Sequence, residues 1–255
     1  MLGRESAAVD RLIFTAFSGL NSSMVRQRVI ASNMANAQTV GFRAETLQFT
    51  PMTVRDGRGV EVRAMTDTAV RGADMAQGAL TETGGPLDIA LTGEALMAVQ
   101  GRGGEEAYTR RGDLSVSAAG VLQNGEGMPV IGDGGPITVP PGGTVSIAPD
   151  GGVMVRDPAT PDAPPARVDR IKLVSKAGTR IEKGLDGAFR VFGGGSLPAD
   201  LEAKVVPGAL EQSNVRPSDV LVQMVEAQRL FDIRAKLIST AKELDEGGSA
   251  LMRMS

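Results

Sequence analysis

The residues best suited to chemistry in this sequence are four carboxylates in one glycine-rich region: Glu105, Glu106, Asp113 and Glu126. Two carboxylates that flank a glycosidic bond can hydrolyse it without help from His or Cys, so a glycosidase is the enzyme class that these residue types would allow. Their spacing, however, does not select one pair as acid and base. We therefore expect solvated acids in strand connections rather than a catalytic pair.

The chain contains neither cysteine nor histidine. This excludes thiol nucleophiles, disulfides, Ser-His-Asp triads and zinc sites built from Cys or His. The segments GRGVEV and GRGGEE do not follow the spacing of phosphate-binding loops, and DGRG and GDGG lack the alternating Asp and Asn ligands of a calcium loop. We expect no cofactor and no metal site.

Composition limits the fold and the partners. The chain has 255 residues, of which 42% are hydrophobic and only 3% aromatic, so its core must be built from aliphatic side chains. The net charge is −3 and the basic residues are scattered, which argues against nucleic acid as a partner. The first 20 residues lack a continuous apolar run, so we expect neither a secretory signal peptide nor a membrane span.

Residues 6–36 predict a long amphipathic helix, because apolar residues recur at steps of three and four. Ser6 is the expected N-cap, and Gly19 inside the pattern costs about 1 kcal/mol relative to alanine. The apolar positions are Val9, Leu12, Ile13, Ala16, Phe17, Leu20 and Met24, extended by Val29 and Ile30.

A second helix is predicted after Pro217, capped by Ser218 and beginning beside Asp219. Its leucines recur every seven residues, which is typical of a coiled-coil seam that the glycines at 247 and 248 would fray. An ordinary core-facing helix would show the same spacing over so few turns, so both interpretations stay open. The positions of the seam and its flank are Leu230, Leu237, Leu244 and Leu251, with Phe231, Ile233 and Ile238 beside them.

The segment between the helices alternates short apolar runs with glycine turns, which predicts antiparallel strands. The sequence Asp150-Gly151-Gly152 predicts a hairpin, and residues 157–168 predict a proline-rich loop between strands. The expected fold is mainly β with helical termini, divided into an N-terminal assembly segment (1–46), a β body (47–209) and a C-terminal assembly helix (210–255). Apolar helices outside a complete β body would be exposed in a monomer, so they indicate assembly with other subunits.

The stretch VIASNMANAQTVGFRAE follows the first helix and is rich in turn-forming residues. The helix should stop near Asn36, where asparagine tolerates a left-handed backbone and its amide can bond to nearby main-chain groups. Gly41 should reverse the chain with a positive φ, and Phe42 should pin the outgoing segment into a groove. Asn33 and Asn36 are therefore assigned to the geometry of a hinge rather than to a substrate site.

Four segments of the chain resemble, in order, the flagellar basal-body rod, hook and hook-associated proteins. The first is ASNMANAQTVGFRAE, the second QGALTETGGPLDIALTGEAL, the third YTRRGDLSVSAAGVLQNGEGMPVIGDGGPI, and the fourth LEQSNVRPSDVLVQMVEAQRLFD. The matching positions are Asn33, Asn36, Thr39, Gly41, Phe42 and Arg43; Gly78, Leu80, Thr83, Gly84, Pro86, Leu87 and Asp88; and Ser213, Asn214, Val215, Met224, Glu226, Gln228, Arg229 and Phe231. One departure is Leu96-Met97, where relatives often carry two aromatics.

The resemblance implies a non-catalytic structural subunit of the flagellar basal body. It implies export by the flagellar type III apparatus without a cleaved signal peptide, a periplasmic location, and a helical tube in which the terminal helices form the inner wall. The expected partners are other copies of the chain, neighbouring rod proteins and the export apparatus, with no small-molecule substrate. We expect the terminal helices to be largely disordered in the free monomer.

The chain length and the compact segment GFRAETLQF favour a subunit of the proximal rod. The alternatives are a distal-rod or hook subunit and, outside the family, a carbohydrate-binding or hydrolytic β protein of the cell envelope. The residues expected to form or position the assembly interface are Ile13, Phe17, Leu20, Met24, Asn33, Asn36, Gly41, Phe42, Asn214, Met224, Arg229, Leu230, Phe231, Leu237 and Leu244.

Overall fold

The computed structural model describes residues 2–55, 61–160, 163–184 and 186–253. It has one long helix at each end and short strands between them, as the sequence predicts. Helix α1 spans Leu2–Ala35 and helix α2 spans Pro217–Arg253. Across the described residues, neither helix is both long enough and apolar enough to cross a membrane.

The helix ends differ from three details of the prediction. Helix α1 begins before Ser6, so that residue lies inside the helix and is not its N-cap. Helix α2 begins at Pro217, a residue whose fixed φ and missing N–H suit the first helical position, so Ser218 is also inside. The N–H of Val220 donates to the carbonyl of Arg216 at 3.1 Å, which closes the first turn. The glycines at 247 and 248 do not interrupt α2.

Eighteen strands are described between the helices. The first nine are β1 (Glu45–Arg55), β2 (Glu61–Ala73), β3 (Leu80–Glu82), β4 (Ile89–Leu91), β5 (Ala95–Gln100), β6 (Glu106–Thr109), β7 (Leu114–Val116), β8 (Leu122–Asn124) and β9 (Ile131–Gly132). The others are β10 (Gly135–Pro136), β11 (Thr144–Ile147), β12 (Gly152–Arg156), β13 (Ala166–Arg170), β14 (Leu173–Ser175), β15 (Ile181–Lys183), β16 (Phe189–Val191), β17 (Val205–Pro207) and β18 (Ala209–Glu211).

The strands form several small sheets. A five-stranded antiparallel sheet has the order β14-β5-β6-β16-β15, and β11-β12-β13 form a three-stranded one. Strand β18 pairs with β3, and β17 pairs with β4. The last two strands before α2 therefore lie beside two of the first strands in the chain. The predicted hairpin at Asp150-Gly151-Gly152 is confirmed: it joins the antiparallel strands β11 and β12, and Gly151 has φ 81°.

The chain divides into two compact units. The helical unit comprises Met1–Ala35, Glu45–Gly72 and Arg216–Ser255, and the β-rich unit comprises Asn36–Ala44 and Ala73–Val215. The long strands β1 and β2 therefore group mainly with the helices, whereas the sequence assigned them to the β body. The physical reason is that α1 packs along β1.

The core of the β-rich unit consists of two clusters of buried side chains, and strand β5 contributes to both. Met97 and Val99 belong to the larger cluster, while Leu96 and Ala98, on the opposite face of the strand, belong to the smaller. Both Leu96 and Met97 are fully buried. Leu96 and Met97 therefore fill opposite sides of the sheet.

Candidate assembly surfaces and a buried ion-pair cluster

Helix α2 has one side covered and an apolar side exposed. On the covered side, Ala227 is buried, and Arg234 donates hydrogen bonds through Nη1 to the carbonyl of Gly19 and the hydroxyl of Ser23 on α1. The exposed apolar side chains retain 50–60% of their surface, and steps of three or four residues link Leu221 and Val222 to Val225, and Ile233 to Leu237. They are Leu221, Val222, Val225, Ile233 and Leu237, and we call them the outer face of α2.

Helix α1 has the same two-sided character. Its covered side carries the small residues Gly19 and Ser23, which permit a close approach to α2, and further along it carries buried Ile30. Phe17 and Met24, seven residues apart, are exposed by 62% and 44%. We call these two residues the outer face of α1.

The predicted interface residues of the helices are distributed over both sides. Leu20, Leu230 and Phe231 are half-buried within the chain. The exposed members are Phe17, Met24, Met224, Arg229 and Leu237. The side chains of Ile13 and Leu244 lie outside the described part of the structure. Of the seam leucines whose side chains are described, Leu230 is half-buried and Leu237 is exposed.

Asn33 connects α1 to the start of β1. Its Oδ1 accepts the N–H of Glu45 at 2.7 Å, and its Nδ2 donates to the carbonyl of the same residue at 3.0 Å. The buried amide thus satisfies both main-chain groups of Glu45, as a neighbouring strand would. Ser32 adds a hydrogen bond to the Glu45 carboxylate at 3.1 Å.

The turn after α1 uses glycine, not asparagine, for its unusual backbone. No non-glycine residue in the described ranges has a positive φ, so the left-handed asparagine considered from the sequence is wrong. Asn36 instead accepts the N–H of Thr39 at its carbonyl, at 3.1 Å. The positive φ predicted for Gly41 is confirmed at 67°. A Cβ at this residue would lie 2.5 Å from main-chain atoms of Arg110 and Arg111.

Asn214 holds the segment that follows this turn. Its Oδ1 accepts the N–H of Ala44 at 2.7 Å, and its Nδ2 donates to the carbonyls of Asp74 and Ala76, each at 2.9 Å. Its own N–H donates to the carbonyl of Phe42 at 3.3 Å. One side chain therefore joins three stretches of the β-rich unit.

A buried carboxylate, Glu211, lies at the centre of the same region. Its Oε1 accepts the N–H of Gly78 at 2.8 Å and lies 2.5 Å from Nη1 of Arg43. Its Oε2 accepts Nε of Arg110 at 2.7 Å, and its carbonyl accepts the N–H of Gly41 at 2.7 Å. We call Arg43, Arg110 and Glu211 the ion-pair cluster. All three side chains are 0–1% exposed.

The two arginines of the cluster are held differently. Arg110 also donates to the carbonyls of Leu91, Gly93 and Ala95 at 2.6–2.8 Å. Burial lowers the pKa of the Arg110 guanidinium, the charge of Arg43 adds to this effect, and Glu211 opposes it. Arg43, in contrast, contacts Glu211 as an ion pair without a well-aligned hydrogen bond.

Phe42 and Arg43 are also contacted by a lysine. Nζ of Lys183 lies 3.4 Å from the centroid of the Phe42 ring and donates to the carbonyl of Arg43 at 2.8 Å. Lys183 is only 7% exposed, so this cation-π contact is largely desolvated.

Sequence reasoning did not single out Arg110, Lys183 or Glu211 as site residues. A signal for Glu211 is nevertheless present, because Ala209 and Glu211 alternate with Leu210 and must share one face of a strand. Both are buried. A charged residue on the buried face of a short strand needs a partner of opposite charge.

The four carboxylates that could have formed a catalytic pair each face a cation instead. Glu105 pairs with Arg190 at 2.8 Å and Glu106 with Lys172 at 2.7 Å. Asp113 and Glu126 both pair with Arg111, at 2.8 and 3.2 Å. A general acid needs a raised pKa, whereas the pKa of Glu105 is lowered by its own main-chain N–H and by Arg190. The described residues contain no acidic cluster that could hold a metal ion.

Three family models match the chain. "Flagella basal body rod protein" matches residues 13–43, "Flagellar hook protein FlgE/F/G D1 domain" residues 90–155, and "Flagellar basal body rod FlgEFG protein C-terminal" residues 206–251. Arg43, Arg110 and Glu211 fall in three different matched regions, so the ion-pair cluster is where these regions meet within the β-rich unit.

Relatives that match the chain over nearly their whole length point to the same family. The chain is 37% identical to flagellar basal-body rod protein FlgF of Salmonella typhimurium over 253 residues, which covers 97% of this chain and all of the relative. Identity to FlgF of Caulobacter vibrioides is 33%, over 93% of this chain and 96% of the relative. Identity to FlgG of the same organism is 28%, over 93% and 97%. The chain therefore belongs to the flagellar basal-body rod protein family, within which it is most like FlgF.

Proposed function

We propose that this chain is a structural subunit of the proximal rod of the bacterial flagellum, without catalytic activity. The observation that carries the proposal is the pair of apolar outer faces, which the chain itself leaves uncovered on both helices. Soluble monomers rarely expose contiguous apolar surface of this kind. The partners that cover these faces are other copies of the chain and neighbouring rod proteins.

Assembly proceeds by burial of the outer faces between subunits. Burying one side chain such as Leu237 or Phe17 contributes about 1.5–3 kcal/mol, and the entropy of ordering the two helices offsets part of this gain. Each contact is modest, but every subunit repeats it, so the assembled tube becomes rigid while single subunits do not polymerise early. A rigid tube of this kind transmits torque from the motor to the hook.

The two units have different roles in the proposed rod. The helices form the inner wall of the tube, where they pair with helices of other subunits as a coiled coil, and the β-rich unit faces outward. The flagellar type III apparatus exports the chain to the periplasm. Disorder of the helices in the free monomer, which would ease passage through a narrow gate, stays a prediction.

Deletion of residues 1–35 tests the proposal. This cut removes α1 but keeps residues 36–44, which belong to the β-rich unit and include Gly41 and Arg43. The truncated protein should retain the β-sheet circular dichroism of the full chain. It should fail to restore swimming to a bacterial strain whose gene for the full chain has been deleted. A truncated protein that still restored swimming would contradict assembly through α1.

A second measurement separates the proximal rod from its alternatives. In purified basal bodies, antibody labelling should place the protein in the part of the rod nearest the motor. Labelling of the distal rod or the hook would assign the chain to another position in the same family. Release of sugar from peptidoglycan by the purified chain would contradict a purely structural role.

A further inference from the structure

Asn124 and Gly125 form the one Asn-Gly pair in the chain. In such a pair the main-chain nitrogen of the glycine can attack the side-chain amide of the asparagine, because the two groups close a five-membered ring and glycine has no Cβ to obstruct the attack. Gly125 is exposed, whereas Asn124 is fully buried at the end of β8. A reactive sequence therefore lies in a protected position.

The hydrogen bonds of a single turn hold Asn124. Its Oδ1 accepts the N–H groups of Glu126 at 3.0 Å and of Met128 at 2.9 Å. Its own N–H donates to the carbonyl of Met128 at 3.0 Å, and its carbonyl accepts the N–H of Gly127 at 2.8 Å. Its Nδ2 has no hydrogen-bond partner among the described residues, so the amide is held through its oxygen.

This arrangement blocks the attack in the folded chain. Ring closure would draw Cγ of Asn124 onto the nitrogen of Gly125 and pull Oδ1 away from both N–H groups that it accepts. Main-chain donors left without a partner in this way are strongly unfavourable when they are buried. Asn124 is also 0% exposed, so water does not reach the position where the ring would have to be opened. Both obstacles disappear when the turn unfolds.

We propose that Asn124 is a deamidation site that is protected in the folded β-rich unit and reactive in the unfolded chain. The nitrogen of Gly125 forms a bond to Cγ of Asn124, the Cγ–Nδ2 bond breaks, and the amide leaves as ammonia with the proton that the attacking nitrogen releases. Water then opens the cyclic imide at one of its two carbonyls, which gives either aspartate or isoaspartate. The whole reaction consumes one water molecule and no other reactant.

Isoaspartate at position 124 prevents the turn from forming again. In this product the chain continues through the former side-chain carbonyl, which adds one carbon atom to the main chain and displaces both acceptors of the turn. Leu122 and Met128, on either side of it, belong to the larger core cluster, and the N–H of Val130 donates to the carbonyl of Leu122 at 2.8 Å. A chain that stays unfolded long enough to react therefore loses the ability to complete its core.

Peptide mapping by mass spectrometry tests the protection. The full chain is incubated at mildly alkaline pH in native buffer and in concentrated urea, and the conversion of amide to acid is measured at position 124. The rate should be at least about tenfold lower in native buffer, and across a urea series it should follow the unfolded fraction measured by circular dichroism. Gly125→Ala should slow the reaction in urea, where both chains are unfolded. Equal rates in the folded and unfolded chain, no conversion in urea, or a rate that Gly125→Ala leaves unchanged would overturn the proposal.

Refolding tests the consequence. The full chain is aged in urea, the isoaspartyl form is separated from the unreacted form by chromatography, and the urea is removed. The isoaspartyl form should unfold at a lower urea midpoint than the unreacted chain. Asn124→Asp is the matched control, because it has the composition of the product without the added main-chain carbon, and its midpoint should be higher than that of the isoaspartyl form. An isoaspartyl midpoint equal to that of the unreacted chain or of Asn124→Asp would overturn the effect assigned to isoaspartate.

Discussion

The Oδ1 atom of Asn214 accepts the N–H of Ala44 at 2.7 Å, although 170 residues separate the two along the chain. The amide on the same side chain donates to the carbonyls of Asp74 and Ala76. Asparagine can do both because it carries an acceptor and two donors on one short side chain. The segment after the Gly41 turn is therefore fixed by a residue from the other end of the β-rich unit.

Asn214→Asp should destabilise the chain by about 1–3 kcal/mol in urea unfolding. The aspartate keeps the acceptor for Ala44 but places a carboxylate oxygen against the carbonyls of Asp74 and Ala76, where a donor is needed. Asn21→Asp, at an exposed position of α1, is the control and should change stability by less than about 0.5 kcal/mol. Equal effects of the two changes would contradict the role given to the amide.

Gly41→Ala should cost more than Gly84→Ala. The two glycines have nearly the same φ, 67° and 70°, so alanine is strained by about 1–2 kcal/mol at either position. At Gly41 the new Cβ would also lie 2.5 Å from main-chain atoms of Arg110 and Arg111, whereas at Gly84 it meets nothing within 4 Å. We expect a loss of at least about 3 kcal/mol for Gly41→Ala in urea unfolding. Equal losses of stability for the two variants would show that, in solution, Gly41 does not lie this close to the main chain of Arg110 and Arg111.

Glu211→Gln should be strongly destabilising, by about 3–5 kcal/mol, because it leaves two buried guanidinium groups without a carboxylate. Glu105→Gln is the comparison, since Glu105 pairs with an arginine at the surface, where such pairs contribute little. Urea unfolding measures both variants. A loss for Glu211→Gln no larger than that for Glu105→Gln would contradict the central position of this carboxylate.

Tyr108 provides a pH-dependent test, because it is the chain's only tyrosine. Burial raises the pKa of Tyr108 to about 12 from its ordinary value near 10. The unfolded chain therefore loses this proton first, so the stability present below pH 10 should fall as pH rises from about 10 to 12. Phenolate absorbance at 295 nm should titrate near 12 while the β-sheet circular dichroism persists. A midpoint near 10 with native circular dichroism would show that the hydroxyl is solvated.

Local spacing was enough to predict the main elements of the fold. The two helices follow from apolar residues that recur every three or four positions. The hairpin at Gly151 and the turn at Gly41 follow from the placement of glycine where the backbone needs a positive φ. The start of each helix was missed by a few residues, since Ser6 and Ser218 are compatible with both a cap and a helix interior.

Long-range partners could not be predicted in the same way. Nothing near Glu211 in the sequence indicates that Arg43 and Arg110 will contact it, because that meeting depends on how distant strands pair. Likewise, heptad spacing in α2 does not tell which side of the helix packs within the chain. The structure places Arg234 on the covered side and Leu237 on the exposed side.

The exposure of Leu237 allows the assembly mechanism to be tested with a chemical label. Because the chain has no cysteine, Leu237→Cys introduces a single thiol at a side chain that is 59% exposed in the single chain. Ala118→Cys, at an exposed turn of the β-rich unit, is the matched control. Both thiols should react rapidly with a maleimide in the purified subunit.

The most direct measurement compares these thiols in purified basal bodies. Assembly through the outer face of α2 predicts that the thiol at position 237 becomes protected by at least about tenfold in labelling rate, which corresponds to burial in all but a small fraction of subunits. The thiol at position 118 should stay reactive. Equal labelling of position 237 in the free subunit and in intact basal bodies would contradict the claim that the rod is built by burying this face.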